Sequence, residues 1–177
     1  WSHRPGIRWY RQQASRLWSK EYNSPSWKQV SWTYLRHTQY QDWQRSVTGF
    51  DPRRMNMLLA VLEKRVGFKL AQKDVFLNIA GGLKVSDPAL DLSVITAILS
   101  SNFDIIVPDG IALVGEVGLS GEIRTVTRIE QRVAEAQKLG FKRILIPAEQ
   151  KVDSKRFQIE IIPVKKVVDA FRLLIKS

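Results

Sequence analysis

Residues 46–177 are expected to form an α+β domain, a mixed α/β arrangement in which helices pack against a sheet. The first supporting observation is that helically spaced apolar residues alternate with short β-branched runs along this part of the chain. The second is that Asp-Pro pairs and glycines stand where the helices would begin and end. The third is a compositional break, because every Trp, Tyr and His lies within residues 1–43. The expected order of elements is α-β-α-β-β-α-β-β-α.

The domain is expected to begin with a helix and a strand. Asp51 can cap the helix, Pro52 fits its first position, and Gly67 can end it. The apolar positions on one face of this helix are Met55, Leu58, Leu59, Leu62 and Val66. Residues 74–80 then alternate as in a strand, which the glycines at 81–82 end. The inward positions of the strand are Val75, Leu77 and Ile79.

A second helix is expected to begin at Asp87-Pro88 and to end near Asn102. Its apolar stripe consists of Leu92, Ile95, Ile98 and Leu99. Residues 111–117 have the composition of a buried strand, and residues 122–126 pair with it through a glycine-containing turn.

The remaining elements are one strand pair and two helices. Thr127 and Glu130 have the spacing of a capping box, which predicts a helix from Thr127 to Gly140. Its inward residues are Val133, Ala136 and Leu139. Residues 143–147 and 157–163 are expected to be strands, and residues 164–175 a closing amphipathic helix.

Composition limits the classes of function. The chain carries 28 Lys and Arg against 17 Asp and Glu, a net charge of +11, which favours polyanionic partners. It contains no cysteine, which excludes disulfides, Cys-ligated zinc and cysteine nucleophiles within it. It has no apolar run of membrane-spanning length and no secretion signal, so we expect a cytoplasmic protein without membrane contact. Because the chain begins at Trp1 rather than at methionine, we expect a fragment.

Residues 1–45 form a separate basic segment rich in Trp and Tyr, with eight Lys and Arg against Glu21 and Asp42. Rings interleaved with cations could stack on single-stranded bases while arginines hold phosphates. Two other interpretations stay open. The segment is a stretch translated out of frame, or a variable and disordered extension, because it has neither a helical nor a strand period.

The most specific motif is the string GEVGLSGEIR at residues 115–124. Its distinctive residues are Gly115, Glu116, Gly118, Gly121 and Glu122. This string resembles the Lon-protease-like domain at the C-terminus of the bacterial RadA (Sms) family of recombinational DNA repair proteins. Segments 59–65, 74–82, 87–92 and 139–147 resemble the same family in the same order. The resemblance covers residues 46–177 and implies a Lon proteolytic-domain-like fold, of the ribosomal protein S5 domain 2-like type.

The resemblance also offers a chemical test. Lon proteases use a Ser–Lys dyad, in which a lysine activates the serine nucleophile. In this sequence Ala89 stands where the serine would be, and Glu130 stands where the lysine would be. We therefore expect a pseudo-protease with no enzymatic activity in this chain. The alternative is a Lon-type (S16-like) serine peptidase that uses an unmatched serine, for which the candidates are Ser86, Ser93 and Ser120 with Lys84.

The resemblance further implies a scaffold domain that supports ring assembly, expected to be a hexamer, and contacts duplex or branched DNA during recombination. Branch migration would be driven by an ATPase absent from this chain. ATP, Mg and Zn are expected only in that upstream ATPase and an upstream zinc finger, and no cofactor or metal in this chain. A RecA-type recombinase is an expected partner. A protein-interaction module of a different Lon-like ATPase family is the competing interpretation.

Basic residues supply the candidate DNA contacts. The candidates on the later part of the domain are Arg124, Arg128, Arg132, Lys138, Lys142 and Arg143. Those on the first helix are Arg53, Arg54, Lys64 and Arg65. Arg128 and Arg132 are one helical turn apart and are expected to share a face that grips phosphates. The competing interpretation is a solvated charged face. Asp87 and Asp91 are expected to favour a helix N-terminus rather than to bind a metal.

Overall fold

The computed structural model describes residues 45–70, 73–79 and 84–175, together with the backbone of residues 16–17 and 28–37. The helices are α1 (Pro52–Val61), α2 (Asp91–Phe103), α3 (Ile129–Lys138) and α4 (Val167–Ile175). The strands are β1 (Arg16–Leu17), β2 (Lys28–His37), β3 (Arg45–Thr48), β4 (Lys73–Ile79), β5 (Ile111–Leu113), β6 (Glu116–Val117), β7 (Ile123–Arg124), β8 (Arg143–Pro147) and β9 (Glu160–Val164). This mixture of helices with parallel and antiparallel strands agrees with the predicted α+β class.

The strands of the described residues form three separate sheets. The first has the order β1-β2-β4-β3, in which β2 runs antiparallel and β3 parallel to β4. The second is a parallel sheet of order β5-β8-β9, and the third is the antiparallel pair β6-β7. The sequence predicted β4 and its buried positions, and this is confirmed. The pairing of β2 with β4 was not predicted, because the alternation of residues 30–34 is short and stands in a segment without any other strand period.

The parallel sheet is covered on both faces, which explains the run of buried residues in its central strand β8. Leu145 points to the side that packs against α2 and α4, whereas Ile144 and Ile146 point to the side that packs against α3. Helices on both faces thus make a three-layer section in this part of the domain.

Helix α1 begins as predicted. The Asp51 side chain accepts a hydrogen bond from the backbone N–H of Arg53 at 2.9 Å, and Pro52 occupies the first turn. Residues Leu62–Val66 continue α1 as one π-helical turn, and Gly67 ends it in the left-handed conformation at a φ of 79°. The expected boundaries of this helix are confirmed.

Helix α2 is the centre of the core. A short 3-10 turn over Pro88–Leu90 precedes it, and the Asp87 carboxylate caps that turn at the N–H of Ala89, 3.0 Å away. Residues 91–101 are all buried, including those facing away from the predicted apolar stripe. Asp104 ends the helix with a φ of 58°, close to the expected end.

Two expectations for residues 111–130 are wrong. The predicted strand 111–117 is divided into β5 and β6, because Gly115 leaves the sheet and exchanges backbone hydrogen bonds with Ala89 and Leu92. The predicted capping box does not form. Helix α3 begins at Ile129, after Arg128, whose φ of 55° places it outside the helix without a side-chain cap.

Smaller differences affect the ends of the predicted elements. Strand β7 is shorter than the predicted 122–126. Strand β9 begins three residues later than predicted, because the N–H groups of Gln158 and Ile159 donate to the side chain of Gln137. Helix α4 begins at Val167, because residues up to Val164 belong to β9. The glycines at 81–82 lie outside the described residues. Among the helices of the described part of the chain, none combines the length and apolarity needed to cross a bilayer.

Candidate nucleic-acid interface

The family motif forms a compact hairpin, residues 116–124. Glu116 pairs with Arg124 and Val117 pairs with Ile123 in the two strands. At the tip, residues 118–121, the N–H of Gly118 donates to the carbonyl of Glu122 at 2.9 Å, and that of Gly121 donates to the carbonyl of Gly118 at 2.9 Å. Gly121 has a φ of 79°, which glycine adopts without strain.

The Glu122 carboxylate braces the tip of the hairpin. It accepts hydrogen bonds from the Ser120 hydroxyl, from the Ser120 N–H at 3.0 Å, and from the Arg124 guanidinium at 2.6 Å. These bonds, the Ser120 hydroxyl foremost, lower the pKa of Glu122 from its ordinary 4.5 to about 2. A Cβ at Gly118 would lie 1.9 Å from Glu122 Oε1, so only glycine leaves room for the carboxylate.

The hairpin lies along the first helix. Arg65 Nε donates to the Leu119 carbonyl at 3.4 Å, and the Arg65 Cβ lies 3.6 Å from the position of a Cβ on Gly121. At the other end, Arg54 Nη2 lies 3.5 Å from Glu116 Oε1. The two groups of basic residues that the sequence separates by some sixty positions, on α1 and on β7, therefore border one surface.

Arg54 itself is committed to an internal ion pair. Its Nε and Nη2 atoms lie 2.6 and 2.5 Å from the two carboxylate oxygens of Asp91, which also accepts the Val117 N–H at 3.0 Å. Asp91 is fully buried. Burial raises the pKa of Asp91 against the opposing effect of its hydrogen bonds, and the bond to Asp91 raises the pKa of Arg54. We therefore correct the prediction that Arg54 is a phosphate ligand.

Arg132 is also excluded from the predicted DNA contacts, because it is buried. It is only 2% exposed, and its guanidinium bonds the Asp87 carboxylate at 2.7 Å and the Thr127 carbonyl at 2.9 Å. Because α3 begins at Ile129, Arg132 falls on the same stripe as Ile129, Val133 and Ala136, which faces the core. The expected shared face of Arg128 and Arg132 does not exist.

The other candidates fall into two groups. The first contains exposed cations on α1, its π-helical continuation, β7 and the segment after β7: Arg53, Lys64, Arg65, Arg124 and Arg128. Arg124 is 54% exposed although it pairs with Glu122, and the other four form no ion pair within the described residues. The second group, at the C-terminal end of α3, consists of the exposed Lys138 and Lys142 with the half-buried Arg143.

Sequence reasoning missed two features of this region. Leu119 is 69% exposed at the tip of the hairpin, which no periodicity could reveal because the motif has glycines on both sides. Asp87 and Asp91 each bind an arginine from another helix in addition to favouring a helix start, and their spacing of one helical turn was the available signal. Among the described residues, no group of three His, Cys, Asp or Glu could hold a metal.

The two residues at the positions of the Ser–Lys dyad, Ala89 and Glu130, lie in different surroundings. Ala89 is buried in the cluster beneath α3, and Glu130 is exposed and pairs with Arg156 at 2.9 Å. The hydroxyls of two candidate serines have acceptors, since Ser93 donates to the Leu113 carbonyl at 3.1 Å and Ser120 to Glu122.

Comparison with known proteins gives one family and a consistent set of relatives. Residues 52–150, from α1 to the end of β8, match the family model described as subunit ChlI of Mg-chelatase. The DNA repair protein RadA of Chlamydia muridarum is 49% identical over 133 residues, which are 73% of this chain and 29% of that protein. RadA of Bacillus subtilis is 47% identical over 137 residues, 76% of this chain and 30% of that protein. RadA of Synechocystis is 42% identical over 140 residues, 79% of this chain and 28% of that protein.

These relatives, each named a DNA repair protein, confirm the resemblance predicted from the motifs. The chain spans about 30% of the length of the relatives it matches. The prediction that this chain has no enzymatic activity is contradicted, because the matched family model describes a subunit of an enzyme. The physical reason is that Ala89 and Glu130 remove one mechanism, Ser–Lys peptide hydrolysis, and have no bearing on other reactions.

Proposed function

Because the chain belongs to the family described as subunit ChlI of Mg-chelatase, and its relatives are named DNA repair protein RadA, we propose that it is the DNA-contact and ring-assembly part of a recombinational DNA repair protein. Branch migration would be driven by an ATPase elsewhere in the whole protein, where ATP, Mg and Zn would bind. A RecA-type recombinase is a further proposed partner.

The observation that carries this proposal is the exposed cationic surface of α1 and the hairpin. Arg53, Lys64 and Arg65 project from the helix and its continuation, and Arg124 follows from the strand beside them. Among the residues that the structure describes, these charges form no ion pair except at Arg124, so they are available to displace counterions from phosphates. The carboxylates Glu116 and Glu122 are bonded to Arg54 and Arg124, so they do not neutralise Lys64 and Arg65.

Binding of a labelled duplex, followed by fluorescence anisotropy at several salt concentrations, tests the proposal. The variant Lys64→Ala/Arg65→Ala should bind more weakly, and the slope of log affinity against log salt should fall by about 0.9 for each phosphate that the variant no longer neutralises. The matched control is Lys151→Ala/Lys155→Ala, which removes two exposed charges on the side of the β8–β9 connection. Absence of binding by the unmodified chain at low salt would refute the DNA contact.

Ring assembly is supported by exposed apolar side chains away from the hairpin. Phe103 at the end of α2 is half-exposed and packs edge-on against Phe68, with ring centroids 4.9 Å apart. Phe171 of α4 completes the cluster, with its ring centroid 5.6 Å from Phe103 and 6.3 Å from Phe68. Ile175 of α4 adds further exposed apolar surface. An apolar area of this kind is typical of a subunit interface, and sedimentation of the whole protein with Phe103→Ser would test it.

The proposal extends to the fold family. The covered parallel sheet and the Gly-Glu hairpin next to the start of α2 support a Lon proteolytic-domain-like arrangement of the ribosomal protein S5 domain 2-like type. A crystal structure of the chain, superposed on a Lon proteolytic domain, would test this assignment. A different order of strands around β8 would refute it.

A further inference from the structure

We propose that Leu119, at the tip of the hairpin, is an apolar wedge that inserts between base pairs of duplex DNA, an inference that rests on the DNA contact proposed above. Leu119 is 69% exposed in the turn that closes the hairpin of the family motif. Wedges of leucine, isoleucine or phenylalanine partly unstack a base step and bend the duplex, which lets more protein surface reach the backbone.

The tip is held in one conformation before any partner binds. Its backbone is closed by the Gly118–Glu122 and Gly121–Gly118 hydrogen bonds, each 2.9 Å long. The Glu122 carboxylate fills the space beneath the turn, and Arg65 holds the Leu119 carbonyl from the side of α1. Little conformational entropy is therefore lost when the leucine inserts, which favours its use as a rigid anchor.

The charges around Leu119 favour DNA over a protein partner. Arg65 and Arg124 flank the tip, and Lys64 is the sequence neighbour of Arg65. Within the described residues, only Arg124 of these three cations forms an ion pair. The carboxylate at the tip itself, that of Glu122, is bonded to Ser120 and Arg124. The outward charge beside the leucine is therefore positive, as phosphate groups on either side of a base step require.

A second exposed aliphatic residue serves as a contrast. Ile106 is 83% exposed in the loop after α2, but its neighbours in that loop are the acidic Asp104 and Asp109. The carboxylates on either side of this aliphatic side chain would repel a phosphate backbone. Ile106 is thus a matched control that has the same chemistry in the opposite electrostatic surroundings.

The experiment uses the 177-residue chain and a duplex with 2-aminopurine at a flexible pyrimidine–purine step, whose fluorescence rises when the base unstacks. Leu119→Ala should bind about tenfold more weakly, as expected when part of the burial of a leucine is removed. It should also lose the fluorescence rise while keeping the salt slope. Leu119→Met should retain both signals, and Ile106→Ala should behave as the unmodified chain. Equal urea midpoints would show that all variants fold.

Each other outcome overturns the inference. If Leu119→Ala binds and unstacks DNA as the unmodified chain does, Leu119 is not a wedge, while the cationic DNA contact stands. If Leu119→Ala instead reduces self-association in sedimentation and leaves DNA binding unchanged, the tip contacts a second copy of the chain. If the unmodified chain does not bind DNA at all, the proposed function fails together with the inference.

Discussion

Replacement of Arg54 by methionine should strongly destabilise the chain. The methionine fills a similar volume but leaves the fully buried Asp91 carboxylate with the Val117 N–H as its remaining hydrogen bond. Removing one partner of a buried ion pair costs about 3–5 kcal/mol. Because the Arg54 side chain is 25% exposed and water can replace part of it, we expect the lower end, about 3 kcal/mol.

Urea denaturation measures this loss, with Arg53→Met as the control. Arg53 is the exposed neighbour of Arg54 on the same turn of α1, so its replacement should change the free energy of unfolding by no more than about 0.5 kcal/mol. Adding Asp91→Asn to Arg54→Met removes the stranded charge and should restore part of the stability.

The loss should also depend on pH, with a definite sign. Burial already raises the pKa of Asp91 above its ordinary 3.8, and removal of Arg54 should raise it further. In the Arg54→Met variant, the Asp91 carboxyl therefore has a higher pKa in the folded state than in the unfolded state. The free energy of unfolding of this variant falls as pH rises between these two pKa values. The deficit should be largest near neutral pH and should shrink in acid. Equal deficits for Arg53→Met and Arg54→Met, or a deficit independent of pH, would refute this reasoning.

Three further predictions concern the second ion pair and the hairpin. Arg132→Met should cost about 3–5 kcal/mol in urea denaturation because it strands Asp87, whereas the exposed Lys138→Met should change little; similar losses would show that the pair is unimportant. Gly118→Ala should cost about 1–3 kcal/mol through its contact with Glu122, and this cost should largely vanish in a Glu122→Ala background; additive losses would argue against the contact. Because the pKa of Glu122 is lowered to about 2 from 4.5, its contribution is present above the higher value and lost as pH falls through the lower one. Acid titration of Glu122→Gln should therefore give a flatter loss of stability in that window, and an unchanged curve would contradict the bracing role.

The elements that were predicted correctly are those whose bounds and inward faces are marked by residues close together in the sequence. The cap at Asp51 and the glycine at 67 enclose α1, and the strict alternation in β4 leaves one possible inward face. Helix α3 was misplaced at its start because Arg128 adopts a left-handed conformation that arginine rarely takes. The burial of Arg132 was missed for a separate reason: its partner Asp87 lies 45 positions away, so no local signal showed that Arg132 points inward.

The candidate site was predictable in its composition but not in its arrangement. The motif at residues 115–124 and the basic residues of α1 were both identified from sequence. The approach of Arg65 to Leu119 depends on how the hairpin folds back, which involves residues 54 positions apart. The pairing of Arg54 with Asp91 is similarly long-range, and an arginine next to an exposed one gives no local sign that it points inward.

The two aspartates at the start of α2 have a mechanical consequence. Asp87 holds α3 through Arg132, and Asp91, one turn later, holds α1 through Arg54. Two ion pairs at the start of α2 thus join the three helices and oppose the sliding of one helix past another. Amide hydrogens of α2 should accordingly exchange with deuterium only when the described domain unfolds as a whole.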